Sequence, residues 1–284
     1  LNDSVKIRLE SDVPIGALLS GGIDSSLIVA LMRKHATGSV KTFSVGFEEK
    51  AYDESAHARR VAEYLGTDHT EFRVTPEDAL AVVPKLPTMY DEPFADSSQI
   101  PTHLIASLAR QHVTVALSGD AGDELFAGYH RYGWGETLWS RVGWLPASVR
   151  RGVAAMLTVC SPGQLDALAG MLFTVLPRRF QVSTPGDRIH KLSRVISAPS
   201  AEGLYDSLLT NFSGHSLPAA AYAGVGGVRT RPSYGGSSVQ PDIDDFVFWM
   251  VALDMLVYLP DDILVKVDRA TMATSLESRA PFLD

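Results

Sequence analysis

Apolar and polar positions follow two rhythms along the chain, and the change falls near residue 140. Before it, short apolar runs bounded by turn residues are interleaved with helical stretches. Residues 16–20 form a short apolar run between Pro14 and Gly21-Gly22, which suits a buried strand. Asp24-Ser25-Ser26 then opens an amphipathic helix that sets Leu27, Leu31 and Met32 on one side. Residues 40–47, rich in β-branched and aromatic side chains, predict the second strand. Residues 52–65 predict a helix with Val61, Tyr64 and Leu65 as its apolar side and Ala56, Arg60 and Glu63 small or polar. Residues 69–74 predict a third strand, and Thr75-Pro76-Glu77 caps the helix after it. A helix over 102–111 leads into a fourth strand over 113–118. Strands separated by helices imply an α/β fold, a parallel sheet with helices on both faces.

From about Arg141 the strand signal fades, and Ala, Leu, Val and Met recur at helical spacing. Residues 223–240 hold five glycines, the composition of a surface loop or a disordered segment. Residues 242–259 return to a helical and strongly apolar pattern. The chain therefore divides into an α/β part, 1–140, and a mostly helical continuation, 141–284.

Composition narrows the classes. The formal net charge of -8 argues against nucleic acid as a partner, because phosphate contacts need clustered positive charge. The single cysteine, Cys160, excludes an internal disulfide framework and any CxxC metal site, and points to a reducing, cytoplasmic compartment. No two histidines show metal-ligand spacing. The longest apolar stretch, 246–259, is 14 residues and carries Asp254, short of the ~20 residues a membrane span needs. A start at Leu1 and an abrupt stop at Asp284 suggest a piece of a longer protein.

The chemistry-bearing feature is Ser20-Gly21-Gly22-Ile23-Asp24-Ser25-Ser26, between a strand and a helix. Two glycines let the backbone turn tightly and approach a ligand, and the helix presents free N–H groups and its positive dipole end. Ser20, Ser25 and Ser26 add hydroxyl donors suited to phosphate oxygens. The bland alternative is a helix cap after a strand. A second acidic loop, Asp120 to Glu124, follows the fourth strand and so faces the same sheet edge. Carboxylates there suit a hard cation shared with phosphate oxygens, which makes Asp123 a metal candidate beside Asp24; the bland reading is a cap for a helix starting near Glu124.

Ser-Gly-Gly-Ile-Asp-Ser-Ser resembles the pyrophosphate loop (PP-loop) of N-type ATP pyrophosphatases, an adenine nucleotide alpha hydrolase-like fold. Ser11-Asp12-Val13-Pro14 upstream is similar to the synthetase domain of glutamine-dependent asparagine synthetases. Asp91-Glu92-Pro93-Phe94-Ala95-Asp96-Ser97-Ser98, Leu117-Ser118-Gly119-Asp120-Ala121-Gly122-Asp123-Glu124-Leu125-Phe126 and Ser275-Leu276-Glu277-Ser278-Arg279-Ala280-Pro281-Phe282-Leu283-Asp284 match the same family in order. The resemblance implies that Ser20, Gly21, Gly22, Asp24, Ser25 and Ser26 hold the ATP phosphates. Leu19 and Val45 would line the adenosine, and Ser118 and Gly119 would form the other wall. Asp24 and Asp123 would hold Mg²⁺. Asp120 matches an acid tied to acyl-adenylate formation and ammonia handling. In many relatives that residue is glutamate followed by glycine; here Asp120 is followed by Ala121.

The implied activity is an amide ligase that adenylates the β-carboxylate of aspartate and transfers ammonia from glutamine, giving asparagine, AMP and pyrophosphate. An N-terminal glutaminase domain, absent from this chain, is the implied partner, with a homodimer among the open oligomeric states. A related amidotransferase or β-lactam-forming synthetase acting on another acid, and a catalytically silent nucleotide-binding module, stay open. So do several single residues. Tyr129 and Arg131 read equally as substrate-edge or packing residues, and Asp96 and Ser97 as a substrate loop or a plain turn. Lys266, Asp268 and Arg269 read as a functional or a solvated helix face.

Overall fold

In a computed structural model, residues 1–47, 53–173, 185–209 and 243–284 are described, with side chains of 171–173 set aside. Among the described residues five parallel strands form one sheet: β1 (Ile15–Leu18), β2 (Lys41–Phe47), β3 (Asp68–Val74), β4 (Val115–Leu117) and β5 (Glu277–Arg279). Their order is β3-β2-β1-β4-β5. Register sets Ala17 opposite Thr42 on one side and Leu117 on the other. The chain steps outward from β1 to β3, then returns to place β4 on β1's free side. The order therefore reverses at β1, and the crevice beyond the carboxyl ends of β1 and β4 is where parallel α/β sheets bind ligands.

The helices are α1 (Asn2–Arg8), α2 (Ile23–His35), α3 (Ser55–Leu65), α4 (Pro76–Val82), α5 (Leu86–Met89), α6 (Gln99–Ala109) and α7 (Gly122–Leu125). They continue with α8 (His130–Val142), α9 (Ala147–Leu157), α10 (Pro162–Phe173), α11 (Pro185–Ile196), α12 (Ala201–Leu209), α13 (Phe246–Leu253) and α14 (Val265–Met272). Two cores lie on opposite faces of the sheet. On one, Ala17, Leu19 and Leu117 pack with Val5 of α1, Ile28, Val29 and Met32 of α2, and Ala58 and Ala62 of α3. On the other, Phe43 and Ala116 pack with Ala106 and Ala109 of α6 and with Leu276, with Leu18 against them. Ala17 and Leu18, adjacent in sequence, face opposite cores, as a period of two requires. Each fully buried large side chain here contributes about 1.5–3 kcal/mol.

The chain forms two compact units: residues 1–128 with 251–284, and residues 129–250. The first holds the sheet. The second is helical, and Arg150 ties it together by donating to the carbonyls of Leu145, Gly143, Ala198 and Pro199. Val195, Ala198 and Leu204 form a buried cluster within it.

Several elements differ from the sequence expectation. The buried side of α2 is Ile28, Val29 and Met32, whereas Leu27 is 42% exposed. On α3 Val61 and Leu65 pack partly buried against the core as expected, but its fully buried apolar positions are Ala58 and Ala62, and Tyr64 is 89% exposed. The β1–α2 loop comes up against the backbone of α3 at His57 and Ala58. Helix α6 starts at Gln99, three residues before the expected start, since the Asp96 carboxylate accepts from Ser98 N–H and Oγ and starts the turn. The apolar run after Phe246 is α-helical only to Leu253; Asp254–Leu264 is π-helix around Pro260, which supplies no N–H to an i→i−4 ladder. Strand β5 and helix α1 had no counterpart in the sequence reading. Tyr52 and the glycine-rich segment 223–240 lie outside the described residues. No helix among the described residues is long and apolar enough to cross a membrane.

Candidate functional site

The loop after β1 is built around its serines. Ser20 Oγ and Ser25 Oγ lie 3.0 Å apart, and Ser25 Oγ accepts from Ser20 N–H at 3.3 Å. Gly22 N–H donates to Ser20 Oγ at 3.2 Å. Leu19 N–H donates to Phe43 O at 2.8 Å, so sheet pairing continues to the edge of the loop. Gly21 holds φ +83°, and a Cβ there would stand 2.5 Å from Ala58 N and 2.6 Å from His57 C. Only glycine meets both demands. Gly22 is the N-cap of α2 and provides no side-chain cap, which leaves first-turn N–H groups available to an anion.

The loop after β4 closes the other wall. A Cβ on Gly119 would stand 2.7 Å from Ser25 N and 3.0 Å from the Asp24 carbonyl carbon, so the two loops touch backbone to backbone. Ala121, 1% exposed, packs with Leu259 and Ile263 while holding φ 75°, a left-handed value that glycine adopts more cheaply. Burial raises the Asp120 carboxyl above the usual range, while the Ser118 hydroxyl and the charge of Lys266 pull it down. Asp24 is also raised, first by burial and then by the neighbouring Asp123. Two carboxylates thus crowd one end of the site, an arrangement that a cation relieves.

These walls enclose a cleft of about 770 Å³. Leu19, Ser20, Gly22, Asp24, Ser25, Val45, Ser118, Gly119, Asp120 and Asp123 all line it. Gly21 and Ser26 face a separate groove with His57, Arg60 and Tyr64, so their contribution is to loop shape. The sequence reading missed Ser44, Phe47, Ser98 and Thr102, which also line the cleft. Ser44 N and C neighbours gave a strand signal only; its hydroxyl lies 3.1 Å from His69 Nε2, a tertiary fact. Among the described residues no three His, Cys, Asp or Glu side chains group to hold a metal.

The family model described as asparagine synthase matches residues 1–284. The chain belongs to the asparagine synthase family. It is 34% identical over 282 residues to asparagine synthetase (glutamine-hydrolyzing) 1 of Bacillus subtilis, covering 99% of this chain and 40% of that protein. It is 37% identical over 140 residues to asparagine synthetase (glutamine-hydrolyzing) of Asparagus officinalis, covering 45% and 23%. The chain thus spans 40% of the length of the Bacillus relative. An NH3-dependent NAD synthetase from Campylobacter jejuni aligns over 75% of this chain and 95% of that one at 12% identity and a TM-score of 0.33, too distant to bear on the site.

In this asparagine synthase family member the remaining candidates separate clearly. Lys266 lines the cleft, with Nζ 3.0 Å from Asp96 Oδ2 and both side chains mostly buried. Asp96 is therefore an anchor, while Ser97 is exposed. Burial alone would raise the Asp96 carboxyl, but bonds from Ser98 and Lys266 outweigh it and hold it below the usual range. Arg269 pairs at the surface with Asp91 at 2.8 Å, and Asp268 is exposed. Tyr129 and Arg131 belong to the second unit, where the Arg131 guanidinium stacks 4.0 Å from the Tyr129 ring centre.

Proposed function

We propose that this chain is the ATP-dependent ligase part of a glutamine-dependent asparagine synthetase. The observation that carries the reading is the convergence of the two loops on one cleft, with an uncapped helix N-terminus on one wall and Asp120, Asp123 and Lys266 on the other. Membership of the asparagine synthase family supports it.

In the proposed reaction an oxygen of aspartate's β-carboxylate attacks the α-phosphorus of ATP. The bond to the β-phosphate oxygen breaks, giving β-aspartyl-AMP and pyrophosphate. Ammonia nitrogen then attacks the acyl carbon, the bond to AMP breaks, and the nitrogen sheds a proton. The β1–α2 loop would receive the departing pyrophosphate on its N–H groups and serine hydroxyls, charge stabilisation that needs no reorganisation. Leu19 and Val45 would bed the adenosine. Asp120 would accept the proton from the attacking nitrogen, and a carboxyl raised by burial is better suited to that than an ordinary one.

Mg²⁺ fits the Asp24 and Asp123 pair, since the charge of Asp123 is unfavourable to that of Asp24 without it. With two protein carboxylates, its other ligands would be phosphate oxygens and water. When bound it supplies neutralisation of the pyrophosphate charge. The ammonia would come from a glutaminase domain in the part of the protein outside this chain, in the cytoplasm.

The test is pyrophosphate release by the full-length protein with ATP and Mg²⁺ across a panel of carboxylic acids. Release that requires aspartate, with asparagine formed on adding glutamine or ammonium, is expected. Release with a different acid only would keep adenylation and overturn the acceptor. No release with any acid would leave a nucleotide-binding module.

A further inference from the structure

The cleft is electrostatically lopsided. Among the described residues its charged lining comprises Asp24, Glu54, Asp120, Asp123 and one cation, Lys266. Asp24 feels Asp123, whereas Asp120 feels Lys266. Lys266 shares the cleft with Asp120, and its charge acts on that carboxyl, the acid assigned to acyl transfer.

Its placement is built rather than incidental. The Lys266 and Asp96 side chains are 11% and 19% exposed, and Asp96 Oδ1 is itself held by Ser98 N–H at 2.8 Å and Ser98 Oγ at 2.7 Å. The Tyr90 hydroxyl donates to the Lys266 carbonyl at 3.3 Å, which steadies the backbone of α14 at this point. An ammonium has three donors, and Asp96 takes one. A four-carboxylate cleft repels any substrate that brings a second carboxylate, unless a cation receives it.

On the proposed ligase reading, we infer that Lys266, oriented by Asp96, binds the non-reacting α-carboxylate of the amino-acid acceptor and so selects dicarboxylate acceptors over simple acids. Losing one charge-assisted hydrogen bond in such a site weakens binding by about 10- to 100-fold.

The experiment uses the full-length protein and measures pyrophosphate release for aspartate and for 3-aminopropanoate, which keeps the reacting carboxylate and lacks the α-carboxylate. In wild type, aspartate should be preferred. Lys266→Gln should raise KM for aspartate about 10- to 100-fold, leave KM for ATP within about twofold and change 3-aminopropanoate release far less than aspartate release, so the preference collapses. Lys266→Arg should restore part of it. Asp96→Asn should raise KM for aspartate less than Lys266→Gln does, because the cation stays but loses its anchor. The inference is overturned if Lys266→Gln lowers both acids equally, which marks a structural role, or raises KM for ATP instead, which marks a phosphate ligand. Wild-type release with aspartate that Lys266→Gln leaves unaltered overturns it too. Absence of release by wild type with every acid is a different result, and it defeats the ligase reading itself.

Discussion

Gly21 and Gly22 are neighbours in one loop and look equivalent in sequence, yet alanine at the two positions should have very different effects. At Gly21 the backbone holds φ +83°, where an L-residue costs about 1–2 kcal/mol. The new Cβ would also meet Ala58 N at 2.5 Å and His57 C at 2.6 Å, both backbone atoms of a packed helix that cannot rotate away. Such overpacking adds about 1–3 kcal/mol, so Gly21→Ala should cost about 2–5 kcal/mol. At Gly22 the backbone is φ -68°, ψ 167°, ordinary for alanine, and the Cβ would meet only Ser20 Oγ at 3.3 Å. A less suitable N-cap residue costs up to about 1 kcal/mol there. The restriction of the unfolded chain is the same for both substitutions and cancels in the comparison. Urea unfolding of the full-length variants side by side, with the slope checked for constancy, measures the difference. Equal midpoint shifts would refute the loop geometry, since φ and the approach to α3 are what make Gly21 the costlier site.

Asp120→Asn should abolish asparagine formation yet stabilise the ligand-free protein at pH 7. The wild-type carboxyl is raised in the folded state, so its charge opposes folding above that pKa and ceases to do so once it is protonated. The gain in the variant should therefore shrink as pH falls from the raised folded value towards the ordinary unfolded one; urea midpoints between pH 7 and 4 test this, and a gain that grows on acidification would contradict it. Ala121→Gly relieves about 1–2 kcal/mol of left-handed strain but loses about 0.8 kcal/mol of buried methyl and up to about 1 kcal/mol to a freer unfolded chain, so stability should stay within about 1 kcal/mol of wild type. A loss above about 2 kcal/mol would show that residue 121 gains little from left-handed relief.

Wherever local chemistry dominates, the chain could be read unaided. Apolar runs located the buried strands β1 and β4, β-branched and aromatic content located β2, and the Ser-Gly-Gly-Ile-Asp-Ser-Ser loop declared itself because a tight turn before a helix needs glycines and hydroxyls at that spacing. The motifs placed the acids of both loops at one sheet edge, and the structure brings Asp24, Asp120 and Asp123 to one cleft. What sequence left undecided depends on partners distant along the chain. Glu277–Arg279 carries no strand propensity and becomes β5 only because β4 offers an open edge beside it. Ala58 faces the core and Tyr64 the solvent, and the Gly21 backbone meets α3 at Ala58, 37 positions along the chain. Lys266 and Asp96, 170 positions apart, are two ordinary charges until packing of α14 against α6 buries them together. Periodicity records which face of an element is apolar, but not which other element will meet it; that choice is made when the whole chain closes, and the cleft's one described cation is its product.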